Sequence, residues 1–111
     1  MKVKDLIESG IFEEVNISEH IDKEITTPFC CDLLSIAMSK APAGACWVTI
    51  MGNINTIAVA SLADVAVIVL AEGITMDSVA LEKAREQQIT VLASKNSVFD
   101  SALSVYQLIH A

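Results

Sequence analysis

The chain has 111 residues and a net charge of −7, with seven basic side chains against fourteen acidic ones. This balance argues against binding to nucleic acid or to an anionic membrane, because both partners require a basic face. Hydrophobic residues make up 53% of the chain and its mean hydropathy is +0.55. The apolar stretch 48–71 is interrupted by Asn53, Asn55 and Asp64, which excludes a membrane-spanning helix. The apolarity instead indicates a sheet covered on both faces, an oligomer interface, or both.

The cysteine and histidine content gives no metal-binding pattern. The three cysteines are Cys30, Cys31 and Cys46, and the charged start of the chain contains no apolar signal core. An odd number of cysteines without a signal peptide predicts reduced thiols in a cytoplasmic protein. Cys30 and Cys31 are adjacent and lack the spacing of a zinc site, and His20 and His110 do not complete one. We therefore predict neither a bound metal nor a cofactor.

The first part of the chain predicts short elements. Apolar residues within 3–7 follow a helical spacing, and Gly10 is placed to end that helix. Residues 12–16 carry aromatic and β-branched side chains, which favour a strand. Residues 25–29 predict a second short strand, which Pro28 restricts to an edge or an end of the sheet.

A further helix is predicted after Asp32, in the segment LLSIAMSKA. Asp32 has a side chain suited to capping this helix, and the segment APAG at 41–44 is suited to ending it. We expect one side of the helix to carry Leu33, Ile36, Ala37 and Lys40.

Three units with the same order of elements follow, each with a β-rich segment, a short loop and a helix. They are ACWVTIM–GNIN–TIAVASLAD, VAVIVL–AEGITMD–SVALEKAREQQ and ITVLA–SKNS–VFDSALSVYQLIH. This repetition is typical of parallel strands joined by helical crossovers. The apolar run Val65–Leu70 fits a strand buried on both faces. We therefore predict one α/β domain over residues 1–111, with a mainly parallel sheet of about four or five strands and flanking helices.

Two of the predicted helices differ in their apolar pattern. The last helix is predicted to bury one stripe, consisting of Phe99, Ala102, Leu103, Tyr106 and Ile109. The helix at 56–63 is apolar almost all the way round and is therefore expected to be buried on every side. In a domain of this size the second covering layer is expected to come from another subunit. We predict a homodimer through this helix, with Ile57, Ala58, Ala60 and Ser61 at the interface.

The loops that follow the three strands predict a binding edge. In open parallel sheets, ligands bind beyond the carboxyl ends of the strands. Here that edge comprises residues 52–55, 72–75 and 94–97, and each loop leads into a helix N-terminus, where free N–H groups favour an anion. We predict that a small anionic metabolite or nucleotide binds there. The predicted contacts are Asp32, Gly52, Asn53, Asn55, Thr56, Glu72 and Gly73.

The same loop residues also have a structural interpretation, which the sequence leaves open. Asn55 or Thr56 is suited to be an N-cap of the following helix, and Asp77 and Ser97 are suited to cap the next two. Gly52 is an ordinary residue for a tight turn. On this interpretation the asparagine loop is a well-capped connection between a strand and a helix.

Two further functions remain as alternatives. A protein-interaction module without a small-molecule ligand would use the apolar helix, with a hydrogenase-associated or signalling protein as partner. An enzyme is disfavoured, because neither Glu72 nor Cys46 forms part of a recognisable nucleophile–base arrangement. The chain contains neither a Walker-type phosphate loop nor a dinucleotide-binding glycine motif, and Lys95 is the only basic residue on the predicted edge.

Two long segments carry a family resemblance. DKEITTPFCCDLLS (22–35) and CWVTIMGNINTIAVASLADVAVIVLAEG (46–73) resemble the small stand-alone members of the DRTGG domain family, over most of the chain. In the naming motif, Asp22 and Thr26 match, Lys23 replaces the arginine, and Thr27 and Pro28 stand where two glycines are expected. Related domains accompany the kinase/phosphorylase of the sugar-transport phosphocarrier protein, long phosphate acetyltransferases and paired CBS domains.

The resemblance implies an α/β domain that is regulatory or sensory and not catalytic. In the larger relatives the chemistry resides in other domains. The stand-alone members resemble bacterial cytosolic proteins, some encoded near iron-only hydrogenases and signalling kinases. Their ligand is undefined, so the resemblance leaves the choice between an anionic ligand and a protein partner open.

Overall fold

Helices and strands alternate along the chain, and a computed structural model describes all 111 residues. The helices are α1 (Val3–Ser9), α2 (Leu34–Lys40), α3 (Ile54–Ala63), α4 (Ser78–Gln87) and α5 (Val98–Ile109). The strands are β1 (Glu13–Asn16), β2 (Pro28–Cys30), β3 (Cys46–Thr49), β4 (Val67–Leu70) and β5 (Val91–Ala93). The predicted α/β fold is confirmed. The helices, of which α5 is the longest at 12 residues, are all too short or too polar to serve as a membrane span.

The five strands form one sheet in the order β1-β5-β4-β3-β2. Strands β2 to β5 are parallel, whereas β1 runs antiparallel to β5 and places Glu13 opposite Ala93. The short strand predicted at 25–29 lies slightly later, at Pro28–Cys30, and it occupies an edge of the sheet as Pro28 required.

Two apolar cores cover the two faces of the sheet. Alternate residues of one strand point to opposite faces, so Trp47 and Ile68 join one core while Val48 and Val69 join the other. The first core is closed by α2, α3 and α4, and the second by α1 and α5. All residues of β3 and β4 are buried, which confirms the expectation of strands covered on both sides.

The orientation of α5 differs from the prediction. The side of α5 that contacts the sheet consists of Ser101, Ala102 and Val105. Phe99, Leu103 and Tyr106 are 70%, 38% and 51% exposed, so these three members of the predicted buried stripe were assigned to the wrong side. Both stripes of α5 are apolar at helical spacing, and the smaller side chains allow the helix to lie close to the sheet.

Residues 22–28 close the amino-terminal edge of the parallel strands. The Lys23 ammonium pairs with the Asp64 carboxylate at the end of α3. The Thr26 N–H donates to the Gly44 carbonyl at 2.9 Å, and the Gly44 N–H donates to the Asp64 carbonyl at 2.8 Å. Gly44 has φ +77°, and a Cβ atom there would lie 2.8 Å from Thr26 Cγ2. Gly44 therefore permits both the left-handed turn and the close packing of Thr26.

We predict that Gly44→Ala is markedly more destabilising than Gly10→Ala. Gly10 also has a positive φ, +72°, but a Cβ atom there would meet nothing within 4 Å, so its substitution costs about 1 kcal/mol for the left-handed backbone alone. At Gly44 the steric overlap adds about 1–3 kcal/mol. Urea unfolding of both variants measures the difference, and equal losses would contradict the proposed packing.

Candidate functional site

The predicted ligand-binding residues all lie at the carboxyl-terminal edge of the parallel strands. Asp32 follows β2, the residues Gly52–Thr56 follow β3, and Glu72 and Gly73 follow β4. Adjacent strands lie about 4.8 Å apart, so the edge from β2 to β5 is about 14 Å wide. The structure divides the predicted residues among several local contacts along this edge and does not gather them into one pocket.

Asn53 caps α3. Its Oδ1 accepts hydrogen bonds from the Asn55 N–H at 3.0 Å and from the Thr56 N–H at 3.2 Å. The N-cap expected at Asn55 or Thr56 was wrong, because the helix begins earlier, at Ile54, and Thr56 is fully buried in its first turn. The Asn55 side chain is exposed and makes no hydrogen bond within the chain, so it is the one amide of this loop that faces solvent unpaired.

Gly52 brings the loop after β3 against the loop after β4. A Cβ atom at Gly52 would lie 2.7 Å from the Thr75 carbonyl oxygen, and the Asp77 N–H donates to the Gly52 carbonyl at 3.4 Å. The open side of this glycine is therefore occupied by the neighbouring loop.

Asp32 joins the ends of β2 and β3. One oxygen, Oδ1, accepts a hydrogen bond from Thr49 Oγ1 at 2.7 Å and another from the Ile50 N–H at 2.9 Å. The N-cap position of α2 belongs to Leu33, which provides no side-chain hydrogen bond, so the predicted cap at Asp32 was wrong. Because Thr49 is fully buried, its hydroxyl requires this partner.

Glu72 and Gly73 join the loops after β4 and β5. Both have left-handed backbone conformations, with φ +61° and +71°. Their N–H groups donate to the Asn96 carbonyl at 2.8 Å and the Ser94 carbonyl at 3.0 Å. These backbone donors are therefore used within the protein, and the exposed Glu72 carboxylate projects from the edge.

The sheet has a topological switch point between β4 and β5. The connection after β4 leads to α4 on one face, and the connection after β5 leads to α5 on the other, an arrangement that typically opens a ligand crevice. A hollow of about 170 Å³ lies here, and a second of about 250 Å³ adjoins it on the other side of β5, against residues 10–13. They share a wall formed by Glu13, Ala93, Ser94 and Lys95, and the smaller hollow also contacts Thr75.

Lys95 is the basic group of these hollows, and it forms no ion pair. Its position on the predicted edge was visible in the sequence, but the sequence alone favoured a solvated loop charge. The proximity of Glu13 to Lys95 had no sequence signal, because it depends on the antiparallel pairing of β1 with β5.

A third hollow, of about 170 Å³, lies at the opposite edge of the sheet. Its charged lining residues, Lys23 and Asp64, are paired with each other. The Gln88 Oε1 atom accepts a hydrogen bond from the Glu19 N–H at 2.8 Å. The polar groups of this hollow are thus largely used by the fold itself.

The thiols are poorly suited to nucleophilic chemistry. Cys46 is fully buried, and burial raises the pKa of its thiol strongly. Burial and the neighbouring Asp32 carboxylate raise the pKa of Cys30, which lowers its reactive thiolate fraction at neutral pH. No cluster of three or more potential metal ligands is present.

The residues of the predicted dimer interface divide into two groups. Ile57 and Ala60 are fully buried in the core beneath α3 and are unavailable to a second subunit. Ala58 and Ser61 are exposed, and the Ser61 hydroxyl donates to Gln87 Oε1 at 3.3 Å. Within the single chain α3 is buried on one side only, so the second covering layer expected from another subunit stays a prediction.

We predict that Asn53→Ala destabilises the protein by about 1 kcal/mol through loss of the α3 cap. Asn55→Ala removes an exposed side chain without internal partners and changes the free energy of unfolding by less than about 0.5 kcal/mol. Asn53→Asp serves as the matched control, because aspartate retains the cap. Urea unfolding distinguishes these variants, and an Asn55→Ala loss equal to that of Asn53→Ala would refute the assignment.

Comparisons with known proteins show a likeness in fold. No family model and no curated protein sequence matches this chain. Among solved structures, the chain is similar to the CBS and DRTGG domains of the regulatory region of Clostridium perfringens pyrophosphatase, complexed with its activator diadenosine tetraphosphate. The TM-score is 0.73 and the sequence identity 14%, over 92% of this chain and 44% of that one. The chain thus spans less than half of that region and shares a fold with part of it.

Proposed function

We propose that this chain is a non-catalytic regulatory module of the DRTGG type that binds a small anionic metabolite or nucleotide at the carboxyl edge of its parallel strands. The observation that carries the proposal is Lys95, a cation without an ion pair that lines the smaller hollow at the topological switch point and the adjoining hollow beside β1. Free ammonium groups beside helix N-termini attract anionic groups such as phosphate. The fold shared with part of a regulatory region crystallised with a nucleotide activator supports the same function.

The contacts proposed for the ligand differ from those that the sequence suggested. Lys95 would neutralise the anionic group, while Thr75 and Ser94 border the smaller hollow. Glu72 and Gly73 frame the site through their hydrogen bonds to the neighbouring loop. Asn55 lies further along the same edge and would contact only a ligand long enough to extend toward β3. Asp32, Gly52, Asn53 and Thr56 would support the edge without touching the ligand.

Thermal-shift measurements against nucleotides, acyl phosphates, nicotinamide cofactors and simple anions test the proposal. A ligand that binds only the folded state stabilises it by about 2.7 kcal/mol at a hundredfold excess over its dissociation constant. We expect a saturable increase in melting temperature with at least one anion. Lys95→Ala should abolish this increase, and Lys83→Ala, a control on α4, should retain it.

Two results of that screen would overturn the proposal. One is a wild-type protein that responds to none of the ligands, and the other is a response that persists in Lys95→Ala. Asn55→Ala then reports the extent of the ligand: it weakens binding of a nucleotide that lies along the edge and leaves binding of a compact anion unchanged.

A second candidate function, a protein-interaction module, is favoured by the exposed face of α5. Phe99, Leu103 and Tyr106 lie at i, i+4 and i+7 and are 70%, 38% and 51% exposed, which gives an apolar stripe on one side of the helix. A photo-cross-linking residue at Phe99 should capture one defined partner if this function holds. Leu103→Ser should suppress the capture, whereas Val79→Ser on α4 should not; capture that is indifferent to Leu103 would contradict it.

A further inference from the structure

Glu13 lines both hollows beside Lys95, and its carboxylate, like the Lys95 ammonium, forms no ion pair. Glu13 belongs to the edge strand β1, yet it shares the smaller hollow with Thr75 from the loop after β4. This is possible because Glu13 lies opposite Ala93 of β5, so that both side chains are on the same face of the sheet, and the Ala93 side chain is small. The smaller hollow therefore extends from the loop after β4, across β5, to an acidic group.

The two hollows together contain one positive and one negative side chain, since Lys95 and Glu13 are the only charged residues that line them. A carboxylate accepts hydrogen bonds and donates none. An anion bound at Lys95 would be repelled by Glu13 unless the same ligand also carried hydrogen-bond donors for that carboxylate. Ribose hydroxyl groups are donors of this kind, and acidic side chains bind them in dinucleotide sites. The charge pattern thus favours a sugar phosphate over a compact anion.

The smaller hollow has backbone donors suited to a phosphate group. Two of the residues that border it, Gly73 and Ser94, use their N–H groups within the fold, at 3.0 Å from the Ser94 carbonyl and 2.8 Å from the Leu70 carbonyl. The N–H groups of Thr75 and Lys95 donate to no backbone carbonyl, and both residues are exposed. Free backbone donors beside an ammonium group are a common arrangement for holding phosphate oxygens.

The larger hollow has a different lining, which suits a nucleobase. Ile11 and Phe12 border it on the side of β1, and Asn96 borders it on the side of β5. The N–H and carbonyl groups of Asn96 are bonded to Ser94 and Glu72, so the side-chain amide of this exposed residue is the group left for a ligand. Apolar residues with a few polar groups are the usual lining of a ligand site, and an asparagine amide can bond to the edge of a base.

We propose that the ligand is a ribonucleoside 5′-phosphate, with its phosphate in the smaller hollow at Lys95, its ribose diol on the Glu13 carboxylate and its base in the larger hollow. This assignment rests on the proposed function, because it specifies the ligand of the same site. In such a nucleotide the diol lies between the phosphate and the base, and Glu13 likewise lies on the wall that the two hollows share. The nucleotide then extends toward β1 and away from Asn55.

Isothermal titration calorimetry tests the assignment with the four common ribonucleoside 5′-monophosphates, the 2′,3′-dideoxy analogue of the one that binds most tightly, and inorganic phosphate. Glu13→Ala should weaken ribonucleotide binding at least about tenfold, because the diol loses a charged acceptor. The same variant should bind phosphate and the dideoxy analogue as tightly as the wild type or more tightly, because a like charge is removed. Glu14→Ala is the matched control: Glu14 lies opposite Leu92 and lines neither hollow, so this variant should behave as the wild type.

Several results would overturn the assignment. One is phosphate or the dideoxy analogue binding to the wild type as tightly as the ribonucleotide, another is an unchanged ribonucleotide affinity in Glu13→Ala, and a third is weaker ribonucleotide binding in Asn55→Ala. If a compact anion binds, no ribonucleotide does, and Lys95→Ala abolishes the binding, the assignment fails while the proposed anion site stands. If Lys95→Ala changes the binding of no probe, both fail.

Discussion

The burial of β3 and β4 on both faces is the constraint on which the rest of the molecule depends. All eight positions of these two strands are buried, so each face of the sheet requires its own helical layer. Right-handed crossovers in the order β2, β3, β4, β5 place α2, α3 and α4 on the same face. The other face is left to α1 and α5, and α5 accordingly crosses the sheet to contact β2 and β3. Because the connections after β4 and β5 then leave toward opposite faces, the smaller hollow beside Lys95 is a direct result of how the sheet is covered.

Much of this architecture could be predicted from the sequence, because the β-rich runs, the loops and the helices recur in a fixed order. The side of each helix that faces the core could not be predicted. In α5, the stripe with Phe99 and Tyr106 and the stripe with Ala102 and Val105 are both apolar, and the space above the sheet selects the smaller residues. In α3, apolar residues surround the helix, but only Ile57, Val59 and Ala60 among them are buried. Composition shows that a helix is apolar on several sides, whereas tertiary packing determines which side a single chain covers.

At the candidate site, likewise, the positions of residues could be predicted but their contacts could not. Parallel strands bring their carboxyl ends to one edge, so Asp32, Asn53 and Glu72 were correctly expected along it. Their chemistry was not predictable, because it depends on contacts between loops: Asp32 satisfies the buried Thr49 hydroxyl, and Asn53 caps its own helix. Polar residues of the kind found in ligand sites can thus use their hydrogen-bonding groups within the fold. Lys95 differs from them because its ammonium forms no ion pair, although Glu13 lines the same hollows.

Helix α3 connects the proposed ligand edge with the core beneath it. Its first turn is fixed by Asn53, and the preceding Gly52 contacts Thr75 in the loop that lines the smaller hollow. Ile57 and Ala60 of the same helix are fully buried against the sheet. The close contact at Gly52 leaves no space between the loop at Thr75 and the start of α3, so the shape of the smaller hollow depends on how α3 packs on the sheet.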